Sequence, residues 1–282
     1  MSLPVRVLSA SHVLPDHAQA AVYSPSPLPD DGVVKLSFMD YLYVDGRAVP
    51  YPMRWLFFYE GDLPPLRFLA GPLRSSLATA VAIFSPLAGR LTYRPATDDV
   101  VVDCSRHSVS PGVRFVEAEF DGDVRRFASG GDESHRTDPA ARLLAPELDA
   151  TRLPAPVLAV QVTRTKRDGN GGGGVVVGVS VHRAVADEHS VCQFMAAWSA
   201  LLRADSLSQI AADLMPPRFD RGMIRHPGAE ELCTKIFRTI PAAGSSSSSP
   251  RVAPDQWRRR SFLLRAGDIE SVKRRNVICI GI

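Results

Sequence analysis

Apolar residues recur along this chain with two periods, which predict a mixture of helices and strands. The segment 73–84 follows Gly71-Pro72 and precedes Pro86, residue types that are typical of helix boundaries. Its apolar positions have helical spacing: Leu73, Leu77, Ala80, Val81 and Phe84. A second stripe at helical spacing comprises Val191, Phe194, Met195, Trp198, Leu201 and Leu202. Both stripes are expected to face the core of the protein.

Other segments have the composition of strands. Residues 54–59 are aromatic and apolar, residues 157–165 alternate apolar with polar side chains, and residues 175–181 are rich in valine. The segments 90–93 and 100–102 flank a turn-forming stretch and are typical of a hairpin. Strands interleaved with two amphipathic helices predict an α/β protein.

The glycine run at 168–174 lies between two of these predicted strands. A phosphate-binding loop would need a Lys-Ser/Thr pair or the order GxGxxG, followed by a helix. The run DGNGGGG has neither, and a strand follows it. We therefore interpret it as a hairpin connection.

The composition changes after residue 205. Prolines are scattered through the next fifty residues, and Ser245–Ser249 is a serine run typical of a linker. A predicted strand (261–265) and a helix start (266–273) follow, and the sequence then stops. One strand and one helix cannot bury a core of their own. We predict an N-terminal domain over 1–205, a crossover segment over 206–257 and the start of an incomplete second domain over 258–282.

Composition and charge exclude several classes of protein. The 282 residues are 45% hydrophobic and 22% charged, with a net charge of +3, which gives no general affinity for nucleic acid or for an anionic membrane. The basic clusters at 258–260 and 273–275 are short and are interpreted as solvated surface. No apolar run is long enough to span a membrane. The N-terminal residues contain no continuous apolar segment, so we expect no secretory signal. The four cysteines form no CxxC pair, so we expect reduced thiols in the cytoplasm.

The junction between the predicted strand at 175–181 and the helix at 191–202 carries polar side chains that are suited to a cleft. Ser180 lies near Gly178, but a nucleophile elbow would need glycine where His182 stands. His182, Asp187 and His189 lack the HExxH spacing of a zinc site, so no metal is predicted.

Several motifs occur in an order that resembles one known family. They are LSFMD at 36–40, LFFY at 56–59, LRSSL at 73–77, FSPLAGRL at 84–91 and SFLL at 261–264. Together they resemble the plant BAHD acyl-CoA-dependent acyltransferases, and most of all the branch that acylates anthocyanins and phenolic glucosides, often with malonyl-CoA. The resemblance implies a fold similar to chloramphenicol acetyltransferase, with a mixed sheet and flanking helices.

The resemblance also places the family's HxxxD motif in the segment 181–190. In this family the histidine removes a proton from the acceptor hydroxyl, whose oxygen then attacks the acyl-CoA thioester. Imidazole suits this step because its pKa lies near neutrality. The aspartate is usually structural and pairs with an arginine. The implied co-substrates are an acyl-CoA and a small alcohol or phenolic acceptor, and the implied state is a monomer.

This chain departs from the motif at its reactive position. Four residues before Asp187 stands Arg183, so the motif reads RxxxD, and a guanidinium cannot accept a proton at neutral pH. His182 matches the first, non-catalytic histidine of relatives that have two. It is a substitute base only if it faces the cleft, and neighbouring strand residues face opposite ways. We expect His182 to be packed and hydrogen-bonded. An alternative interpretation of Arg183 is that it forms an internal ion pair with Asp187. A further departure is Glu188, which stands where relatives commonly have glycine.

The resemblance also sets an expectation about completeness. The family's DFGWG and YFGNC-type motifs do not occur in these residues, and much of the family's CoA contact comes from the second domain. We therefore expect an acyltransferase with weak or no turnover. The alternatives are a catalytically inactive BAHD-like binding protein, a truncated gene product, or a mis-spliced gene model ending in the atypical segment 277–282.

Overall fold

Nine strands form two sheets in the part of the chain that the structure describes. The computed structural model describes residues 5–23, 27–29, 31–44, 52–61, 63–122, 142–150, 152–165, 173–203 and 217–221, with positions 227, 228, 231, 235, 266, 267, 270 and 271. The strands are β1 (Val5–Val13), β2 (Val33–Lys35), β3 (Met53–Glu60), β4 (Arg90–Arg94), β5 (Asp99–Asp103), β6 (Val113–Phe120), β7 (Ala155–Pro156), β8 (Leu158–Thr165) and β9 (Gly174–Val181).

The larger sheet is mixed, as the sequence analysis predicts. Its five strands lie in the order β1-β6-β8-β9-β3. The pair β6–β8 is parallel, and the other neighbours are antiparallel. The smaller sheet has the order β2-β5-β4-β7 and contains the predicted hairpin as β4 and β5. The α/β class is therefore confirmed.

Two long helices supply the apolar layer against the larger sheet. The helices are α1 (His17–Ala20), α2 (Leu66–Ile83), α3 (Arg106–Val109) and α4 (Glu188–Arg203). Helices α2 and α4 pack on each other, where the indole Nε1 of Trp198 donates to the hydroxyl of Ser76 at 3.0 Å. Phe84, just after α2, meets Phe194 edge to face, with 5.6 Å between ring centroids. These contacts join the two predicted stripes into one core.

Helix α2 begins earlier than the sequence pattern predicts. The pattern places its start after Gly71-Pro72, whereas the helix begins at Leu66 and contains Pro72 in its interior. Pro72 has no N–H to give to the helix ladder. The preceding turns are stabilised because Leu66 and Ala70 are buried against the core. Tertiary packing therefore outweighs the local penalty of the proline.

Both faces of strand β8 are covered by the protein. An alternating strand is typically solvated on one face, but the polar side chains Gln161, Thr163 and Thr165 are all buried. The amide Nε2 of Gln161 donates to the carbonyl of Leu143 at 2.7 Å and to the hydroxyl of Thr163 at 3.0 Å. The segment 142–150 thus lies against this face, opposite α2 and α4.

The segment 142–150 makes its closest approach at β9. Ser180 donates from its hydroxyl to the carbonyl of Pro146 at 2.6 Å. At Gly178, an added Cβ would lie 2.1 Å from the carbonyl oxygen of Leu144 and 2.8 Å from the Cα of Ala145. Glycine is required there because backbone occupies the space of a side chain.

Most of residues 204–282 lies outside the described part of the chain, as does most of the glycine run. The boundaries at 205 and 257 and the strand at 261–265 therefore stay predictions; positions 266, 267, 270 and 271 are helical. Among the described helices, none has the length and apolar character needed to cross a membrane. Within the same residues, no three His, Cys, Asp or Glu side chains cluster in a way that could hold a metal ion.

Candidate functional site

The site lies where strand β9 ends and helix α4 begins. The sheet ladder continues one residue past β9, because the backbone N–H of His182 donates to the carbonyl of Val157 at 2.8 Å. The next residues form a turn in which the N–H of Val185 donates to the carbonyl of His182 at 3.0 Å. His182 therefore keeps its place in the sheet, whereas Arg183 is the first residue beyond the ladder.

His182 is buried, and its acceptor nitrogen is engaged. The residue is 4% exposed, and Nδ1 accepts from the backbone N–H of Ala184 at 3.3 Å. A neutral imidazole has one acceptor nitrogen, so this bond uses the lone pair that a general base would need. Burial lowers the pKa of His182 to about 4. The ring is thus neutral at pH 7 and is hydrogen-bonded as the strand alternation predicts.

Arg183 carries its charge over an aromatic ring. It is half-buried, and its guanidinium carbon lies 5.1 Å from the centroid of the Tyr43 ring. That distance is within the range of a cation–π interaction. The sequence alternative, an ion pair between Arg183 and Asp187, is not formed between these two described residues. The guanidinium of Arg183 therefore lies over an aromatic ring and is not paired with Asp187.

Asp187 caps helix α4. Its Oδ1 accepts from the backbone N–H of Ser190 at 2.8 Å, and its carbonyl accepts from the N–H of Val191 at 3.0 Å. Hydrogen bonds from the side chain and the backbone of Ser190 lower the pKa of Asp187. A carboxylate at this position satisfies N–H groups that the first helical turn leaves free. Asp187 therefore fixes where the turn ends and the helix starts.

A comparison with known proteins identifies the scaffold. The sequence profile of the Transferase family matches residues 17–275, which is most of the chain. The chain belongs to this family, the BAHD acyltransferases. The resemblance inferred from the ordered motifs is thereby confirmed.

Two curated relatives show the branch to which this BAHD chain is similar. The malonyl-coenzyme:anthocyanin 5-O-glucoside-6'''-O-malonyltransferase of Salvia splendens is 28% identical, covering 88% of this chain and 53% of that protein. The phenolic glucoside malonyltransferase 1 of Bemisia tabaci is 28% identical, covering 79% of this chain and 48% of that protein. The chain spans about half the length of each of these relatives.

A solved structure supports the fold. The crystal structure of vinorine synthase superposes with a TM-score of 0.53 at 23% identity, covering 77% of this chain and 46% of that one. At this identity the likeness concerns the fold alone. It agrees with the predicted mixed sheet and flanking helices of the BAHD scaffold.

A network that the sequence analysis did not find joins the motif turn of this BAHD chain to the LSFMD segment. Oδ2 of Asp40 accepts from the N–H and the hydroxyl of Ser37, both at 2.7 Å, and lies 2.5 Å from the guanidinium of Arg221. Arg221 also donates to the carbonyl of Val185 at 2.6 Å and to that of Ala184 at 3.4 Å. Arg221 therefore holds the turn by donating hydrogen bonds to the backbone carbonyls of the turn.

Only one of the two charged residues of this network, Asp40, can be recognised in the sequence. Asp40 lies inside a motif of the family, but Arg221 lies in the segment predicted as a crossover and has no local pattern around it. Only the folded chain brings residues 40, 185 and 221 together.

The Asp40 network gives a stability prediction. Asp40→Ala removes the carboxylate that accepts from the N–H of Ser37 and pairs with the guanidinium of Arg221, and both Asp40 and Arg221 are less than one-third exposed. We expect the free energy of unfolding to fall by about 2 kcal/mol, measured by urea denaturation. Asp40→Asn keeps an acceptor oxygen and should cost about half as much. A loss below about 0.5 kcal/mol for Asp40→Ala would contradict the network's importance.

Proposed function

We propose that this chain is an acyl-CoA-dependent O-acyltransferase scaffold in which catalysis is impaired. The proposed acceptor is a hydroxyl of a flavonoid, an anthocyanin or a phenolic glucoside, and the proposed donor is malonyl-CoA or another acyl-CoA. The names of the similar malonyltransferases, which act on anthocyanin glucosides and phenolic glucosides, support this substrate class. A cytoplasmic location is part of the proposal, and the spacing of the four cysteines, which form no CxxC pair, supports it.

The proposed loss of catalysis rests on one observation: a positively charged side chain stands at the position of the family's general-base histidine. An acyl transfer of this kind needs a group that takes the proton of the acceptor hydroxyl within hydrogen-bond reach. Arg183 stands at that position, and a guanidinium group is not a proton acceptor in proteins. The lone pair of the neighbouring imidazole, His182, already accepts from the N–H of Ala184. Neither group is therefore suited to remove the proton.

The same observation favours a second candidate, a non-catalytic BAHD-like binding protein. An arginine held on a tyrosine ring presents N–H donors and a positive charge. Such a group binds an anion or a planar ring but does not start an acyl transfer. This candidate predicts binding of an acyl-CoA or a glycoside without product.

An activity assay tests the proposal. We expect the purified chain, with malonyl-CoA or acetyl-CoA and a phenolic glucoside, to give no acylated product above a protein-free control in mass spectrometry. Arg183→His alone is also expected to give none, because the resemblance assigns much of the CoA contact to a region with no counterpart in these 282 residues. Arg67→His, on the exposed surface of α2, is the matched control.

Each outcome of this assay has a distinct meaning. No product, together with measurable acyl-CoA binding by calorimetry, supports the binding protein. No product and no binding would contradict the binding protein. Product from Arg183→His but not from wild type would show that the arginine alone blocks catalysis, and product from wild type would overturn the proposed impairment.

A further inference from the structure

Arg183 and Tyr43 form a cation–aromatic pair at the motif turn. The guanidinium carbon of Arg183 lies 5.1 Å from the centroid of the Tyr43 ring, and both residues are half-buried. The face of a ring attracts the charge of a guanidinium but offers no oxygen to its five N–H donors. The contact with Tyr43 therefore holds the side chain of Arg183 and leaves its capacity for hydrogen bonds to oxygen unused.

The carboxylates of the two motifs that carry this pair are engaged by other groups. Asp187, in the RxxxD motif, accepts from a backbone N–H of α4 at 2.8 Å. Asp40, in the LSFMD motif, lies 2.5 Å from the guanidinium of Arg221. Among the described residues, no side-chain or backbone oxygen accepts from the guanidinium of Arg183. The partly buried cation at the motif turn thus lacks an anionic partner within that part of the chain.

Arg221 ties together the two segments that carry the pair. Its guanidinium binds Asp40, at the start of the helical turn that ends at Tyr43. The same guanidinium donates to the carbonyl of Val185, two residues after Arg183, at 2.6 Å. A side chain that is held in place before a ligand arrives loses little conformational freedom when the ligand binds. The cation and its ring are therefore preorganised for binding.

A preorganised guanidinium is well suited to a carboxylate. Its N–H groups form a fixed fork that matches the two oxygens of a carboxylate, and such charge-assisted hydrogen bonds are stronger than neutral ones. Partial burial strengthens the attraction, because water and salt screen the charges less than at an exposed site. Malonyl-CoA, the donor proposed above, carries a carboxylate at the end of its acyl group, whereas acetyl-CoA has an uncharged methyl group there.

We propose that Arg183, positioned by the ring of Tyr43, binds the carboxylate of a malonyl group, so that the motif turn selects a malonyl thioester over an uncharged acyl thioester. This inference rests on the proposed function, because it takes malonyl-CoA as the donor, but it concerns binding and requires no turnover. Arg183 is then a specificity-determining residue, and Tyr43 is a positioning residue that acts through it.

Malonate itself tests the carboxylate site. In NMR spectra of the full chain, the Nε–H signal of Arg183 is identified by its absence from the spectrum of Arg183→Lys. Titration with malonate to about 50 mM, at constant ionic strength, should shift this signal. Uncharged malonamide should not shift it. If malonate leaves the signal unmoved, or if inorganic phosphate moves it more than malonate does, the carboxylate site is wrong.

Arg67 is the matched control for this titration. It is exposed on α2, and its guanidinium carbon lies 4.8 Å from the centroid of the Phe68 ring, so it is also a cation over an aromatic ring. Because its charge is screened by solvent, malonate should move its Nε–H signal about fivefold less than that of Arg183. Equal shifts at the two arginines would show general attraction of anions and overturn the site at the motif turn.

Two substitutions of Tyr43 test the positioning role of its ring. Tyr43→Phe keeps the aromatic face and should keep the malonate affinity within about twofold of wild type. Tyr43→Leu removes the face and should weaken malonate binding about threefold or more. Circular dichroism verifies that both variants are folded. A folded Tyr43→Leu chain that binds malonate as tightly as wild type would show that the ring does not position Arg183.

Acyl-CoA thioesters separate this inference from the proposed function. By calorimetry, wild type should bind malonyl-CoA about tenfold more tightly than acetyl-CoA, and Arg183→Gln should reduce this ratio to about one. Arg67→Gln should keep the wild-type ratio. Equal affinity of wild type for the two thioesters would overturn the inference and leave the proposed acyl-CoA binding intact. No binding of either thioester would contradict the proposed acyl-CoA binding and the selection between thioesters, while the malonate titration judges the carboxylate site by itself.

Discussion

Gly178→Ala is expected to lower the free energy of unfolding by about 3 kcal/mol, which corresponds to a fall of roughly 10 °C in the midpoint of thermal unfolding. The new methyl group would lie 2.1 Å from the carbonyl oxygen of Leu144 and 2.8 Å from the Cα of Ala145. These atoms belong to backbone, so no rotamer change can relieve the contact. The segment 142–150 must move away from β9.

That movement would also disturb hydrogen bonds on both sides of Gly178. The carbonyls of Leu143 and Pro146 accept from Gln161 and Ser180, and these donors are buried. A buried donor that loses its acceptor is costly. The loss is therefore expected to exceed that of a simple added methyl group.

Gly71→Ala is the matched control for this experiment. Gly71 lies on the exposed side of α2, and an added Cβ would meet nothing within 4 Å outside its chain neighbours. The higher helix propensity of alanine is opposed by the restriction on a residue that precedes proline. We expect a change smaller than about 1 kcal/mol. Equal effects of the two substitutions would contradict the close contact at Gly178.

The second large effect concerns His182 and pH. Burial lowers the pKa of this ring from its ordinary value of 6.5 to about 4 in the folded chain. Between these values the unfolded chain binds a proton that the folded chain does not bind, so stability falls as the pH drops through this window. We expect His182 to account for a loss of about 3 kcal/mol between pH 7 and pH 4.

Replacing the ring isolates this contribution. His182→Asn keeps an oxygen that can accept from the N–H of Ala184 but has no group that titrates between pH 4 and 7. Urea denaturation at several pH values should show a weaker dependence on pH for His182→Asn than for wild type. His17→Asn, at an exposed position of α1, is the matched control. Parallel curves for wild type and His182→Asn would contradict the lowered pKa.

The sequence predicts the elements of this fold better than their boundaries. The stripe of α4 is recognisable because Val191, Phe194 and Trp198 are buried in one core. The start of α2 cannot be recognised in this way. Pro72 by itself indicates a helix start nearby, whereas the packing of Leu66, which extends the helix to residue 66, arises only in the folded chain. The burial of Gln161 is likewise hidden in the sequence, since the covering segment comes from residues 142–150.

In the site, the sequence likewise predicts the features that depend on local spacing but not the contacts between distant residues. Counting four residues back from Asp187 is enough to find Arg183, and strand alternation is enough to expect a packed His182. The Tyr43 ring beneath Arg183 and the bridge from Asp40 to Arg221 join residues that are more than a hundred positions apart. No periodicity in the sequence records such contacts.

We propose that neither Arg183 nor His182 serves as a base for acyl transfer. The most direct measurement compares product formation by wild type and by His182→Asn, with malonyl-CoA and a phenolic glucoside, in long incubations followed by mass spectrometry. We expect both chains to match the protein-free control. Product that forms with wild type and disappears with His182→Asn would show that His182 is the base.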